Sequence, residues 1–165
     1  MKRLFVLILF VAAAFTGFSQ NAITTFIFVR HAEKIADGSK DPELSEAGKK
    51  RAEALAVLLA QTKLDAIYST KFKRTEMTAA PLAKVLSLSI QNYDGGKLEE
   101  IDAMLQKHAA GTVLVVGHSN TTPGIINYLT GKPEYKNFDD SDYGNLVIVS
   151  VTEKGKQVKV TWLRY

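Results

Sequence analysis

The chain has 165 residues, 46% of them hydrophobic and 23% charged, with three histidines and no cysteine. That composition describes one globular domain able to bury roughly two-thirds of its unfolded surface, and it excludes a disordered segment, a disulfide scaffold and thiol chemistry. The formal net charge is +4, and setting aside residues 1–19, which hold Lys2 and Arg3 but no acid, leaves 19 bases against 17 acids, far below the basic excess of a nucleic-acid binder.

The first twenty residues stand apart. Lys2-Arg3 precede an apolar stretch from Leu4 to Phe15, and Gly17-Phe18-Ser19 form a small-x-small pattern before Gln20. This predicts a secretory signal peptide over residues 1–19 and a single domain over 20–165, secreted or periplasmic. The apolar run is shorter than the roughly 18 to 20 residues of a spanning helix, so no membrane attachment is expected after cleavage.

Thr24–Arg30 (TTFIFVR) predicts a strand of β-branched and aromatic residues. Ser45 caps a helix with Gly48 early in it and Ala52, Leu55, Ala56 and Leu59 on one face. Asp65–Ser69 reads as a short strand. Helix follows from Arg74 to about Leu86, with Pro81 opening a new helical segment. Leu88–Tyr93 is a third strand, closed by Asp94-Gly95-Gly96, and Lys97–His108 an amphipathic helix. A cationic His108 there would favour the helix C-terminus. Thr112–Gly117 (TVLVVG) has the unbroken apolar pattern of a strand covered on both faces. Thr121–Leu129 is a helix stopped by Gly131, and Leu146–Val151 with Gln157–Leu163 form a hairpin. The alternation implies an α/β fold: a three-layer α/β/α sandwich around a mainly parallel sheet, ending in a C-terminal hairpin. In such sheets ligands bind outside the carboxyl ends of the strands.

Two of the three histidines fall at such ends, His31 after Arg30 and His118 after Gly117, 87 residues apart. A neutral imidazole can attack phosphorus if cations neutralise the non-bridging oxygens, and guanidinium matches those oxygens in bidentate geometry. A second, protonated imidazole suits the supporting role. Arg74, near the start of a helix after a strand, adds to an anion site.

In these motifs the chain resembles the histidine phosphatase (phosphoglycerate mutase-like) superfamily, as a small secreted member. The resemblance rests on Arg30-His31, Leu44-Ser45-Glu46-Ala47-Gly48, Ser69 and Arg74 with Thr78-Ala79, and Val116-Gly117-His118-Ser119. It implies a phosphatase that turns over a phosphomonoester through a phosphohistidine on His31. Arg30, Arg74 and His118 would hold the phosphate, and no metal or organic cofactor is used. Many members carry a glutamate as general acid in a Leu-x-Glu-x-x-x-Gly context after the third strand. Here Asp94, at the strand end, is the preferred proton donor, with Glu99, Glu100 or no donor as the alternatives.

Glu33 and Lys34 shape the entrance or form a surface ion pair. Asn120 and Ser119 bind phosphate or cap the following helix. Ser119 is not a nucleophile of the Gly-x-Ser-x-Gly type, because Thr121 replaces the last glycine and no histidine follows His118. A metallohydrolase using His31, His118 and Asp37 or Asp94 lacks any clustered ligand pair. The partner expected is a small phosphorylated molecule. A phosphomutase and a phosphate-binding module without turnover are the alternative functions. The substrate and the oligomeric state stay open.

Overall fold

The computed structural model describes residues 22–165, and the signal-peptide reading lies outside them. Ten elements follow one another: β1 (Thr24–Arg30), α1 (Glu46–Leu59), β2 (Ala66–Thr70), α2 (Lys73–Leu86), β3 (Ile90–Tyr93), α3 (Leu98–Lys107), β4 (Thr112–Gly117), α4 (Thr121–Thr130), β5 (Asn145–Glu153) and β6 (Gln157–Arg164). The six strands form one sheet in the order β3-β2-β4-β1-β5-β6. The first four pair in parallel, while β5 and β6 are antiparallel additions on β1. The C-terminal hairpin therefore extends the main sheet.

Side-chain alternation divides the core in two. Phe26, Phe28, Val113 and Val115 face Ile101 and Met104 of α3 and Ile125, Ile126 and Leu129 of α4. Ile27, Val29, Leu114 and Val116 face Leu55 and Leu59 of α1 and Leu82 of α2. Both faces of β1 and β4 are covered, which explains their unbroken apolar sequences.

Sequence signals hold at several boundaries. Ser45 Oγ accepts from Gly48 N at 3.1 Å and starts α1, and Gly131, at φ +71°, ends α4. Pro81 is a correction: it lies inside one continuous α2 and starts no new segment. Its missing N–H removes one helical bond, but Ala79, Leu82 and Ala83 around it are buried against the sheet and hold the helix together. His108 sits at the C-terminus of α3 as the sequence indicates; its Nε2 lies 3.0 Å from the Tyr68 hydroxyl, and burial, then Lys107, lowers its pKa. Among the described residues no helix is long and apolar enough to cross a membrane.

Candidate active site

β1 and β4 are neighbours in register, with Arg30 opposite Gly117. The ladder ends with His31 N donating to Gly117 O at 2.9 Å, and the two imidazoles follow it with ring centroids 5.4 Å apart. Parallel pairing thus closes the 87-residue gap at the carboxyl end of the sheet, where the crossovers through α1 and α3 diverge to opposite faces.

His31 is only 4% exposed. Its Nδ1 lies 2.8 Å from Ala32 O; a carbonyl only accepts, so Nδ1 carries the proton and Nε2 keeps its lone pair. Ala32 N in turn donates to Thr78 Oγ1 at 2.9 Å, which ties the histidine's neighbour to α2. Burial first, then the charges of Arg30, His118 and Arg74, hold the His31 pKa down at about 3, against a raising contribution from the Ala32 bond.

His118 is fixed from both ring nitrogens. Nε2 sits 2.9 Å from Thr70 Oγ1, whose own proton goes to Thr75 Oγ1 at 3.1 Å, while Thr75 Oγ1 donates onward to backbone carbonyls. That chain makes Nε2 the donor and leaves Nδ1 as acceptor toward Arg74 Nη2, a long contact of 3.5 Å. Burial, then Arg74 and Arg30, lower the His118 pKa to about 4. Without an anion, partial burial and the two neighbouring guanidinium groups therefore favour a neutral His118; the protonated imidazole expected from sequence applies to the supporting role beside a bound phosphate.

Arg30, 3% exposed, donates from Nη1 to three carbonyls of one loop, Asp139 O, Asp140 O and Asp142 O, at 2.8, 3.2 and 3.1 Å. Its guanidinium carbon lies 4.2 Å from the Tyr143 ring centroid. Arg74, in the first turn of α2, stacks 4.5 Å over Phe72 and has Asp41 Oδ1 3.5 Å from Nη1. Phe72 offers no side-chain cap to α2; Asp41 does, accepting from Lys73 N at 3.0 Å. Arg30 Nε and Arg74 Nε and Nη1 are buried with no hydrogen-bond partner. Such donors are costly unless something accepts from them, and the oxygens of one tetrahedral anion can do so.

A cavity of about 550 Å³ opens beside His118, lined by Lys71, Phe72, Asp94, Gly95, Glu100 and Thr121 among others. Asp94 is exposed on its wall, with Oδ1 accepting from Gly96 N at 3.0 Å and Oδ2 3.8 Å from Lys97 Nζ. Glu100 shares the cavity and accepts from Asp94 N at 3.0 Å, whereas Glu99 does not line it. Ser119 does not line it either, and its carbonyl accepts from Phe138 N. Glu33 faces α1, paired with Arg51 at 2.7 to 3.0 Å, so the ion pair is realised there. Helix α4 is capped by neither Ser119 nor Asn120, and Thr121 Oγ1 accepts from His118 N instead.

Sequence reading missed Thr70, Phe72, Asp41 and Tyr143, and gave Thr78, singled out in the resemblance, no role of its own. Thr75 and Thr78, polar at helical spacing on a face shared with Ala79 and Leu82, were the available signal. Among the described residues no group of three or more histidines, cysteines and carboxylates is placed to hold a metal ion.

Both imidazoles, His31 buried and His118 half-buried, have folded-state pKa values below the unfolded value of 6.5. The unfolded chain therefore binds more protons in acid, so the stability present above pH 6.5 is lost as pH falls toward about 4 and then about 3. Thermal melts of the ligand-free protein are expected to show a midpoint that declines steadily over that window. A midpoint flat down to about pH 4 contradicts the assignment of both rings as neutral.

A mainly parallel α/β sheet thus carries two histidines, the buried Arg30 and the part-buried Arg74 at its carboxyl end. The model for "Histidine phosphatase superfamily (branch 1)" matches residues 26–103, just under half of the chain, and over that stretch the chain is similar to the histidine phosphatase superfamily. It is 43% identical over 82 residues to phosphoserine phosphatase 1 of Hydrogenobacter thermophilus, a match spanning 46% of this chain and 38% of that protein. The fold is similar to that of a mycobacterial glucosyl-3-phosphoglycerate phosphatase, with TM-score 0.71, 14% identity and coverage of 86% of this chain and 99% of that one. It is also similar to the protein histidine phosphatase SixA complexed with tungstate, with TM-score 0.69, 18% identity and coverage of 85% and 96%. Entamoeba histolytica phosphoserine phosphatase gives TM-score 0.66, 18% identity and coverage of 86% and 97%.

Proposed function

We propose that the chain is a phosphomonoester hydrolase working through a covalent phosphohistidine on His31, without a metal. The observation carrying this reading is a buried neutral His31 with Nδ1 bound and Nε2 free, beside two guanidinium nitrogens without a partner, Arg30 Nε and Arg74 Nε. In the first step Nε2 attacks phosphorus and the bond to the ester oxygen breaks. Arg30 and Arg74 offset the charge on the non-bridging oxygens. His118 takes up a proton as the phosphate dianion enters, because the anion offsets the two guanidinium charges that hold its pKa down. The leaving oxygen receives a proton from Asp94, with Glu100 the other carboxylate on that cavity. Water then attacks the phosphohistidine, its proton returns to that carboxylate, and phosphate departs from a restored His31.

Hydrolysis of an aryl phosphate by the wild type, undiminished by a chelator, is the expected result; loss on chelation with recovery on adding zinc removes the metal-free mechanism. Asp94→Asn should lower kcat on an alkyl phosphate by about 10² to 10⁴ and affect an aryl phosphate less, because a poor leaving group depends on proton transfer. Equal activity of wild type and variant on the alkyl ester removes Asp94 as the donor. A second reading, a phosphate-binding module without turnover, draws on the bonds that tie the Asp94 carboxylate to Gly96 N and Lys97. It predicts phosphate binding with no hydrolysis above the His31→Ala blank. Export to the periplasm or outside, proposed from residues 1–19, disfavours a glycolytic mutase, whose substrates are cytosolic.

A further inference from the structure

The donors of Arg30 are unequally engaged. Nη1 is spent on the carbonyls of Asp139, Asp140 and Asp142 at 2.8, 3.2 and 3.1 Å. Nε is buried with no partner, and Nη2 faces the exposed Asp140 carboxylate at 3.7 Å, too far for a hydrogen bond. The edge left open, Nε with Nη2, is one that matches two oxygens of a phosphate side by side. Resting on the anion-binding half of the phosphomonoesterase reading, we infer that Tyr143 is a positioning residue of this site. The face of its ring sets the plane of the Arg30 guanidinium and so aims the open edge at the anion.

The carbonyls alone do not fix that aim. Three acceptors sharing the two protons of one nitrogen hold the nitrogen in place but constrain the tilt of the plane weakly, because a shared proton points fully at none of them. The Tyr143 ring, with its centroid 4.2 Å from Arg30 Cζ, closes off the tilt from one face, and the attraction between cation and ring strengthens away from bulk water. The ring is itself held. It follows Asp142, whose carboxylate accepts from Arg164 Nη2 and from Asn145 Nδ2, each at 2.8 Å. It precedes Gly144, whose carbonyl accepts from Tyr165 N at 3.1 Å. The other end of the loop is docked beside the second histidine, where Phe138 N donates to Ser119 O at 2.9 Å. One segment, tied at both ends, thus carries the three carbonyls and the ring, and Arg30 fits into it. β1 lies between β4 and β5, so His118 flanks His31 on one side and Tyr143, leading into β5, on the other. The His31 and Tyr143 ring centroids are 6.0 Å apart. Contact with Arg30 is made by the ring face, and the phenol hydroxyl is dispensable to it.

Titration calorimetry with inorganic phosphate reads the aim of Arg30 without requiring turnover. Tyr143→Leu and Tyr143→Met, which fill much of the space without an aromatic face, should each weaken phosphate binding about tenfold, the scale of a partly desolvated cation–ring contact. Tyr143→Phe should stay within about twofold of wild type. A double-mutant cycle separates orientation from packing. Arg30→Lys keeps the charge but has no plane to orient, so adding Tyr143→Leu to it should cost little more, whereas a general loss of packing would repeat the full cost. On esters, Tyr143→Leu should lower kcat/KM by the same factor for an aryl and an alkyl phosphate, because the ring acts on the phosphoryl oxygens and not on the leaving group. Wild-type phosphate affinity in both aliphatic variants, a phenylalanine variant as weak as they are, or an undiminished loss beside Arg30→Lys overturns the inference. Phosphate binding by a wild type that hydrolyses no ester sinks the phosphomonoesterase reading and leaves the role of Tyr143 decided by the calorimetry. A wild type that binds no phosphate sinks both.

Discussion

His31→Ala is expected to reduce turnover of an aryl phosphate by at least about 10³-fold, with no adduct to trap. The size follows from the environment of the ring. Burial keeps its pKa near 3, so almost every wild-type molecule holds a neutral imidazole at pH 7. The Ala32 carbonyl fixes the tautomer, so Nε2 needs no deprotonation before attack. Alanine supplies no nucleophile, and water entering the gap would face phosphorus without a base in its place. Wild type mixed with substrate and quenched in alkali should carry a phosphoryl group on His31, labile in acid as phosphoramidates are. A variant retaining wild-type rates, or a trapped adduct on another residue, removes His31 as the attacking group. The same substitution deletes a ring that must be buried neutral, so the midpoint of the variant should fall less steeply with acidification than that of the wild type.

How far the site was readable from sequence depends on what each contact is made of. β1 and β4 were legible to the residue because both are buried on two faces, and their apolar runs stop where the sheet stops. That placed His31 and His118 at strand ends, and parallel pairing brought them together. Pro81 misled because local propensity opposes an internal proline, whereas burial of Leu82 and Ala83 outweighs one lost bond. The charge state of His118 was not legible at all. It follows from burial and from guanidinium groups on two other elements, none of which a linear pattern contains. The anchoring of Arg30 is hidden for another reason. Its three acceptors are backbone carbonyls between 109 and 112 residues away, and a carbonyl leaves no mark on residue identity.

Gly48→Ala is expected to destabilise the protein by about 2–4 kcal/mol, against the sign of helix propensity, which favours alanine over glycine in a helix by about 1 kcal/mol. Gly48 lies in the first turn of α1 and is buried there. A Cβ at this position would overlap the Glu33 carbonyl oxygen and stand 3.0 Å from the Glu33 carbonyl carbon and amide nitrogen. Backbone cannot turn aside as a flexible side chain can, so the helix or the 31–33 segment must shift. That contact is where the helix meets the chain leaving His31: Ser45 N and Ser45 Oγ both donate to the Glu33 carbonyl, at 2.8 and 3.2 Å. Glycine at 48 is thus the condition for seating the His31 segment against α1, and displacement there is transmitted over two residues to the imidazole. Chemical denaturation should show the loss in midpoint, and kcat on an aryl phosphate measured well below the new melting temperature should fall as well. Stability lost with kcat intact would confine Gly48 to packing. A more stable alanine variant would show that the segment after His31 yields freely, and that the close approach does not position the nucleophile.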